Sequence, residues 1–212
     1  MPKAPEHPIF ARFYDRMLVG IEEGGLAEMR RSLLAGATGR TLELGAGTGH
    51  NLAHYPAAVT ELVMAEPDPH MASRLRARVE TEGSPIERVS VSEAPAEELP
   101  YDDDSFDTVV STLVLCTVAD PGATLTETRR VLSAGGQLLF CEHVRHPGRA
   151  RAWVQDRLVR PWAFFAGGCH PNRPSGELIG EAGFQIVRLD SGSLPKAVPW
   201  MQPLIRGAAR RP

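Results

Sequence analysis

Glu43-Leu44-Gly45-Ala46-Gly47-Thr48-Gly49 decides the fold class. It closes a short apolar run, Arg40 to Gly45, and leads into Ala46–Tyr55, whose pattern predicts a helix. An apolar strand that runs into closely spaced glycines and then a helix is the signature of a ligand-cradling βα turn. Glycine there takes torsions that other residues avoid and lets backbone approach a ligand closely.

The same alternation continues downstream. Strands are expected at Glu61–Ala65, Arg88–Ser92, Phe106–Leu115, Gln137–Glu142 and Phe184–Leu189, with the tail Leu204–Arg210 as a further candidate. Helices are expected at Met71–Thr81, Ala123–Leu132, Ala150–Phe165 and Glu177–Ala182. Strands alternating with helices predict an α/β fold with a mostly parallel sheet covered on both faces. Upstream, Phe10, Phe13, Met17, Leu18 and Ile21 recur at helical spacing, and Gly24-Gly25 breaks the stretch from Ile9 to Leu34 into two helices. Residues 1–8 carry three prolines and read as a loosely attached arm. The expected organisation is a helical segment over residues 1–37 and one globular unit over 38–212.

Composition narrows the field. The chain has 212 residues, 42% apolar and 23% charged, and a net charge of −3. That is an ordinary globular balance, not the basic surface of a nucleic-acid binder. Three cysteines stand far apart with no CxxC, which argues against a disulfide framework or a thiolate zinc site. Asp102, Asp103 and Asp104 read as a solvated turn, and no metal is expected. No apolar run approaches a membrane span and no secretory segment is visible, so a cytoplasmic protein is expected.

The glycine loop lacks the Gly-Lys-Ser/Thr ending of a Walker loop, and its third glycine comes one residue too early for a dinucleotide fingerprint. Gly-x-Gly-x-Gly with an acid two residues upstream suits a ligand bearing an ammonium group: S-adenosylmethionine, with Glu43 toward the ammonium and the glycines against ribose and amino-acid chain. A bare βα turn would use the same glycines. Glu66 ends the second strand about twenty residues on, where an acid can accept both ribose hydroxyls.

In this order the motifs resemble those of the class I S-adenosylmethionine-dependent methyltransferases: Glu43–Gly49, then Glu66, then Ala96–Asp107, then Arg130–Gly136. The resemblance spans about residues 38–145 and implies a Rossmann-like seven-stranded sheet. It implies cofactor contacts from Tyr14, Glu43, Gly45, Ala46, Gly47, Thr48, Gly49, Glu66, Pro67, Met71, Ala96, Glu97, Thr112 and Leu113. Pro95 stands where the family often has an acid, which leaves the adenine to the backbone of Ala96 and Glu97.

A narrower similarity, to the methyltransferase-like alkyl-thiol S-methyltransferases, rests on Pro67–His70, Ser111–Val118, Phe140–Val144 and the late stretch Trp153–Cys169. It implies transfer of a methyl group to a small-molecule thiol. Membrane-associated members of that group carry an apolar N-terminal anchor, and none is seen here. His143, at the end of a strand, is the candidate base; a histidine hydrogen-bonded for structure would look the same. Cys116, Trp162 and Cys169 are candidates for the acceptor pocket, or small apolar and aromatic packing residues. Tyr14 belongs to a lid over the cofactor or to plain packing. O- or N-methylation of a small metabolite, and cofactor binding without catalysis, are the competing functions. Base methylation in nucleic acid is disfavoured, because no Asn-Pro-Pro-Tyr-type motif is present.

Overall fold

The computed structural model describes residues 8–212. The proline-rich arm therefore lies, but for Pro8, outside the described residues. The elements, in chain order, are α1 (Pro8–Ile21), α2 (Ala27–Leu34), β1 (Gly39–Leu44), β2 (Val59–Ala65), α3 (Pro69–Glu82), β3 (Val89–Ser92), β4 (Phe106–Thr112), α4 (Pro121–Val131), β5 (Leu132–His143), α5 (Arg149–Phe165), α6 (Ser175–Glu181), β6 (Gln185–Ser193) and β7 (Pro203–Arg210).

The seven strands form one sheet in the order β3-β2-β1-β4-β5-β7-β6. The first five pair in parallel, and β7 inserts antiparallel between β5 and β6. This is the expected Rossmann-like sheet.

Period-two alternation buries both faces. Leu42, Val63, Val109, Leu138 and Phe140 pack against Leu125, Val131 and Ile179 of α4 and α6. Their neighbours Leu62, Met64, Val110, Leu139 and Cys141 point the other way, onto Leu33 and Leu34 of α2 and Leu75 of α3. The carboxyl ends of β1, β2, β4 and β5 thus come together on one rim, where ligands sit in open parallel sheets.

Two expectations change. Ala46–Tyr55 is not an α-helix: it is a series of turns with one 3₁₀ turn, Leu52–His54. Gly47 and Gly49 take φ of 59° and 88°, outside the helical region, and the hydrogen bonds Gly49 N to Ala46 O and Leu52 N to Gly49 O close turns of three. The fourth strand ends at Thr112 rather than Leu115, because Leu113 takes φ of 60°. The break at Gly24-Gly25 is present as a wide turn, Glu22–Leu26, with Gly25 at φ of 130°.

Candidate active site

The glycine loop is tied to the end of β2 by two backbone N–H groups, and the acid that receives one of them is held by a third. Ala46 N donates to Ala65 O at 2.9 Å, tying the loop to the end of β2. Gly47 N donates to Glu66 Oε2 at 2.8 Å, and Asp68 N donates to Glu66 Oε1 at 2.9 Å. Glu66 is buried, and burial raises its carboxyl above the ordinary range against the pull of these two N–H groups. Each oxygen keeps a lone pair for a further donor. A Cβ on Gly45 would sit 2.9 Å from Val114 Cγ2, and one on Gly49 2.7 Å from Leu75 Cδ1. Both glycines are thus dictated by close approach as well as by torsion.

α1 lies across this loop. The Tyr14 ring is 3.6 Å from the Cβ position of Gly47 and packs near Phe10 and His50. Burial holds its phenol up near 12, so it is a neutral hydroxyl. Asp15 accepts from Thr48 Oγ1 and contacts His50 Nε2 at 3.0 Å. Arg74 of α3 reaches Ala11 O at 2.8 Å.

Both carboxylate oxygens of Glu43 already accept a hydrogen bond within the protein. Its Oε1 accepts from Asn51 Nδ2 at 2.9 Å and its Oε2 from Tyr55 Oη at 2.8 Å. Burial lifts the carboxyl to about 7. Asn51 in turn donates to Thr112 Oγ1 at 3.2 Å and accepts from Arg30 Nη1 at 2.9 Å, while Arg30 Nε meets Glu22 at 3.0 Å. This buried chain, Glu22–Arg30–Asn51–Glu43–Tyr55, ties the N-terminal helices to β1 and β4. The sequence holds no spacing signal for it, because its members come from the wide turn at Glu22, from α2, from β1 and from the turns after Gly49.

Ala96 is buried below the rim. Glu97 turns away from it and accepts from Ala119 N at 2.9 Å, bracing the entry to α4. Pro67 follows Glu66, and Met71 is buried in the first turn of α3 behind the Asp68 cap. Asp103 and Asp104 of the acidic turn pair with Arg130 and Arg211.

Beside the loop stands a second cluster. Cys116 and Cys169 are 1% and 8% exposed, with Sγ atoms 3.7 Å apart. They pack with Met201, and Leu113, Trp162, Ala166, Ala197 and Trp200 close around them. The three candidate acceptor residues are therefore brought together, although they are far apart in sequence. Met201 and Trp200, from the segment before β7, join them without any sequence signal. Trp162 meets Trp200 edge to face at 5.0 Å. Val114, two residues from Cys116, is the side chain that touches Gly45, so the two clusters are contiguous.

Glu142 and His143 close β5. Glu142 is wholly buried under the Leu113–Cys116 turn, with Oε1 accepting from Ser111 Oγ at 2.7 Å and Val114 N at 3.0 Å. Oε2 finds no partner among the described residues, and burial lifts the carboxyl to about 7. His143 is 4% exposed, and burial drives its imidazolium down to about 4 despite the backbone of Pro203 and Met201 beside it. Such a ring is a poor acceptor for the proton of a thiol of pKa about 8.5. Its Nδ1 has no hydrogen-bond partner among the described residues.

Residues 42–140 match the family model for a methyltransferase domain. The chain is 36% identical to the human thiol S-methyltransferase TMT1B over 183 residues, which is 83% of this chain and 73% of that protein. It is 38% identical to the rat protein of the same name over 70% of this chain and 61% of that one. Among solved structures, an S-adenosylmethionine-dependent methyltransferase of Thermotoga maritima superposes with a TM-score of 0.68 at 23% identity, over 97% of this chain and all of that chain.

Proposed function

The chain belongs to the class I S-adenosylmethionine-dependent methyltransferases, and from that premise we propose that it transfers the cofactor's methyl group to the sulfur of a small apolar thiol. S-adenosylmethionine supplies a methyl carbon already activated on a sulfonium, so the protein's task is chiefly alignment. The residues present fit that group. Gly45, Gly47 and Gly49 leave a cradle whose torsions and close contacts a Cβ would spoil. Glu66 offers a buried carboxylate with lone pairs to spare for hydroxyls. Thr48, Thr112 and Leu113 complete the rim, and Tyr14 rests on the loop. Residues 8–37 act as a lid in this reading, latched through Asp15 to Thr48 and through Arg30 to Asn51. Glu43 serves by holding Asn51 and Tyr55.

One observation carries the acceptor: Cys116, Trp162 and Cys169 meet Met201 and Trp200 in a polarisable, apolar cluster, two residues along the chain from Val114, which packs against Gly45 of the glycine loop. Sulfur and aromatic surfaces of this kind hold a soft, apolar group well. A thiol is a few per cent ionised at neutral pH and is strongly nucleophilic as the thiolate. No strong base is required, and in this reading the proton goes to water before transfer. The thiol-acting relatives support the same acceptor.

The three cysteines are free, which supports a reducing compartment such as the cytoplasm. No helix among the described residues is long and apolar enough to cross a membrane. With a net charge of −3, a small-molecule acceptor is favoured over nucleic acid.

The test is release of S-adenosylhomocysteine with small thiols beside their hydroxyl and amine analogues. Turnover with thiols alone is expected. Turnover with the hydroxyl or amine series moves the acceptor to oxygen or nitrogen. Cofactor binding with no turnover in any series leaves a binding module.

A further inference from the structure

The thiols of Cys116 and Cys169 come from segments 53 positions apart, yet their Sγ atoms stand 3.7 Å from each other. The backbones are already laced together: His170 N donates to Cys116 O at 2.6 Å, and the Cβ position of Gly168 lies 3.3 Å from Thr117 O. Bringing the sulfurs to the bonding distance of about 2.05 Å thus asks for side-chain rotation and little main-chain movement. Cys141, the third cysteine, is buried on β5 with no sulfur partner, and so serves as an internal control.

We infer that Cys116 and Cys169 form an oxidation site, at which hydrogen peroxide converts the pair to a disulfide that pins the turn after β4 to the segment after α5. Cys169 reacts first. It is the more exposed of the two, and the neighbouring Cys116 thiol and then the Trp162 indole draw its ionisation down. Its thiolate attacks one peroxide oxygen; an S–O bond forms, the O–O bond breaks, and the departing hydroxide takes a proton to become water. Cys116 then attacks the sulfenyl sulfur; the S–S bond forms, the S–O bond breaks, and the second hydroxide leaves with the Cys116 proton as water. The two sulfurs together lose two electrons and the peroxide gains them. The cross-link stands independently of the acceptor assignment, whereas its effect on turnover rests on that assignment.

The experiment treats the reduced full-length protein with hydrogen peroxide, then counts thiols after denaturation and maps peptides without reduction. Three thiols are expected to fall to one, with a Cys116–Cys169 peptide lighter by two hydrogens and reversal by dithiothreitol. Cys141→Ser should still cross-link, and Cys169→Ser should not. Oxygen added to single cysteines without a cross-link, or no loss of thiol while a small free thiol is consumed, overturns the proposal; neither readout needs a folded variant. Turnover of a thiol acceptor should fall at least tenfold on cross-linking, with S-adenosylhomocysteine affinity unchanged within twofold. Cross-linking with undiminished turnover keeps the oxidation site and overturns the placement of the acceptor.

Discussion

The backbone N–H of Gly47 donates to the carboxylate of Glu66 at 2.8 Å, joining the glycine loop of β1 to the acid that ends β2. One side chain thereby shapes the loop and presents a carboxylate at the rim. Each bond is charge-assisted, which makes the pair stiff as well as strong.

Glu66→Ala removes that acceptor from Gly47 and Asp68 and removes the carboxylate offered to the cofactor's ribose hydroxyls. Hydrogen bonds to charged groups contribute about 1.5–3 kcal/mol, so S-adenosylhomocysteine affinity should fall roughly 10- to 100-fold. Calorimetric titration of the folded variant checks this. Unchanged affinity would show that Glu66 only braces the loop.

Asn51→Ala should cost about 3 kcal/mol of stability, because it leaves Glu43 and Arg30 buried without their shared partner. Urea unfolding measures the cost. A loss within that of an exposed Asn substitution would mean that the chain of bonds contributes little.

Sheet and loop were legible because both are local patterns. Apolar alternation marks β1, β2 and β4, and the glycines stand where φ is positive. The turns after Gly49 were not legible, since Asn51, Leu52 and Tyr55 suit a helix until three positive-φ glycines precede them. Nor was the insertion of β7 between β5 and β6, which depends on pairing between distant segments. For the site, Glu66 and the loop carry their own signal. The Arg30–Asn51–Glu43 chain carries none, and Cys116 with Cys169 shows its meaning only once the fold makes them neighbours.

Glu142 and His143 should tilt stability against pH in opposite directions. The Glu142 carboxyl is lifted by burial from an ordinary 4.5 to about 7. Between those values the folded protein holds a proton that the unfolded chain has shed, so stability falls as pH rises, with the full penalty above about 7. The His143 imidazolium is lowered from 6.5 to about 4, so the unfolded chain takes up the proton first and stability falls as pH drops through that window. Glu142→Gln should therefore gain stability relative to the parent between pH 5 and 8, by on the order of 3 kcal/mol. Urea midpoints at both pH values are the check; parallel curves would mean that Glu142 is ionised and paired. His143→Gln should leave the pH profile of turnover unchanged, and loss of a titrating limb would restore His143 as a base.

Trp162→Ala should raise the acceptor KM about tenfold and leave cofactor affinity alone, because Trp162 faces Cys169 and Trp200 rather than the glycine loop. Steady-state kinetics with a saturating cofactor separates the two. Equal losses of both would assign Trp162 to general packing.

Transfer of an isotopically labelled methyl group from S-adenosylmethionine to an acceptor carrying both a thiol and a hydroxyl tests the central claim most directly. Mass spectrometry of the product, with fragmentation to place the label, should find it on sulfur, one label for each S-adenosylhomocysteine formed. Label on oxygen, or S-adenosylhomocysteine formed without labelled product, would contradict the assignment of the Cys116–Trp162–Cys169 cluster as a thiol site.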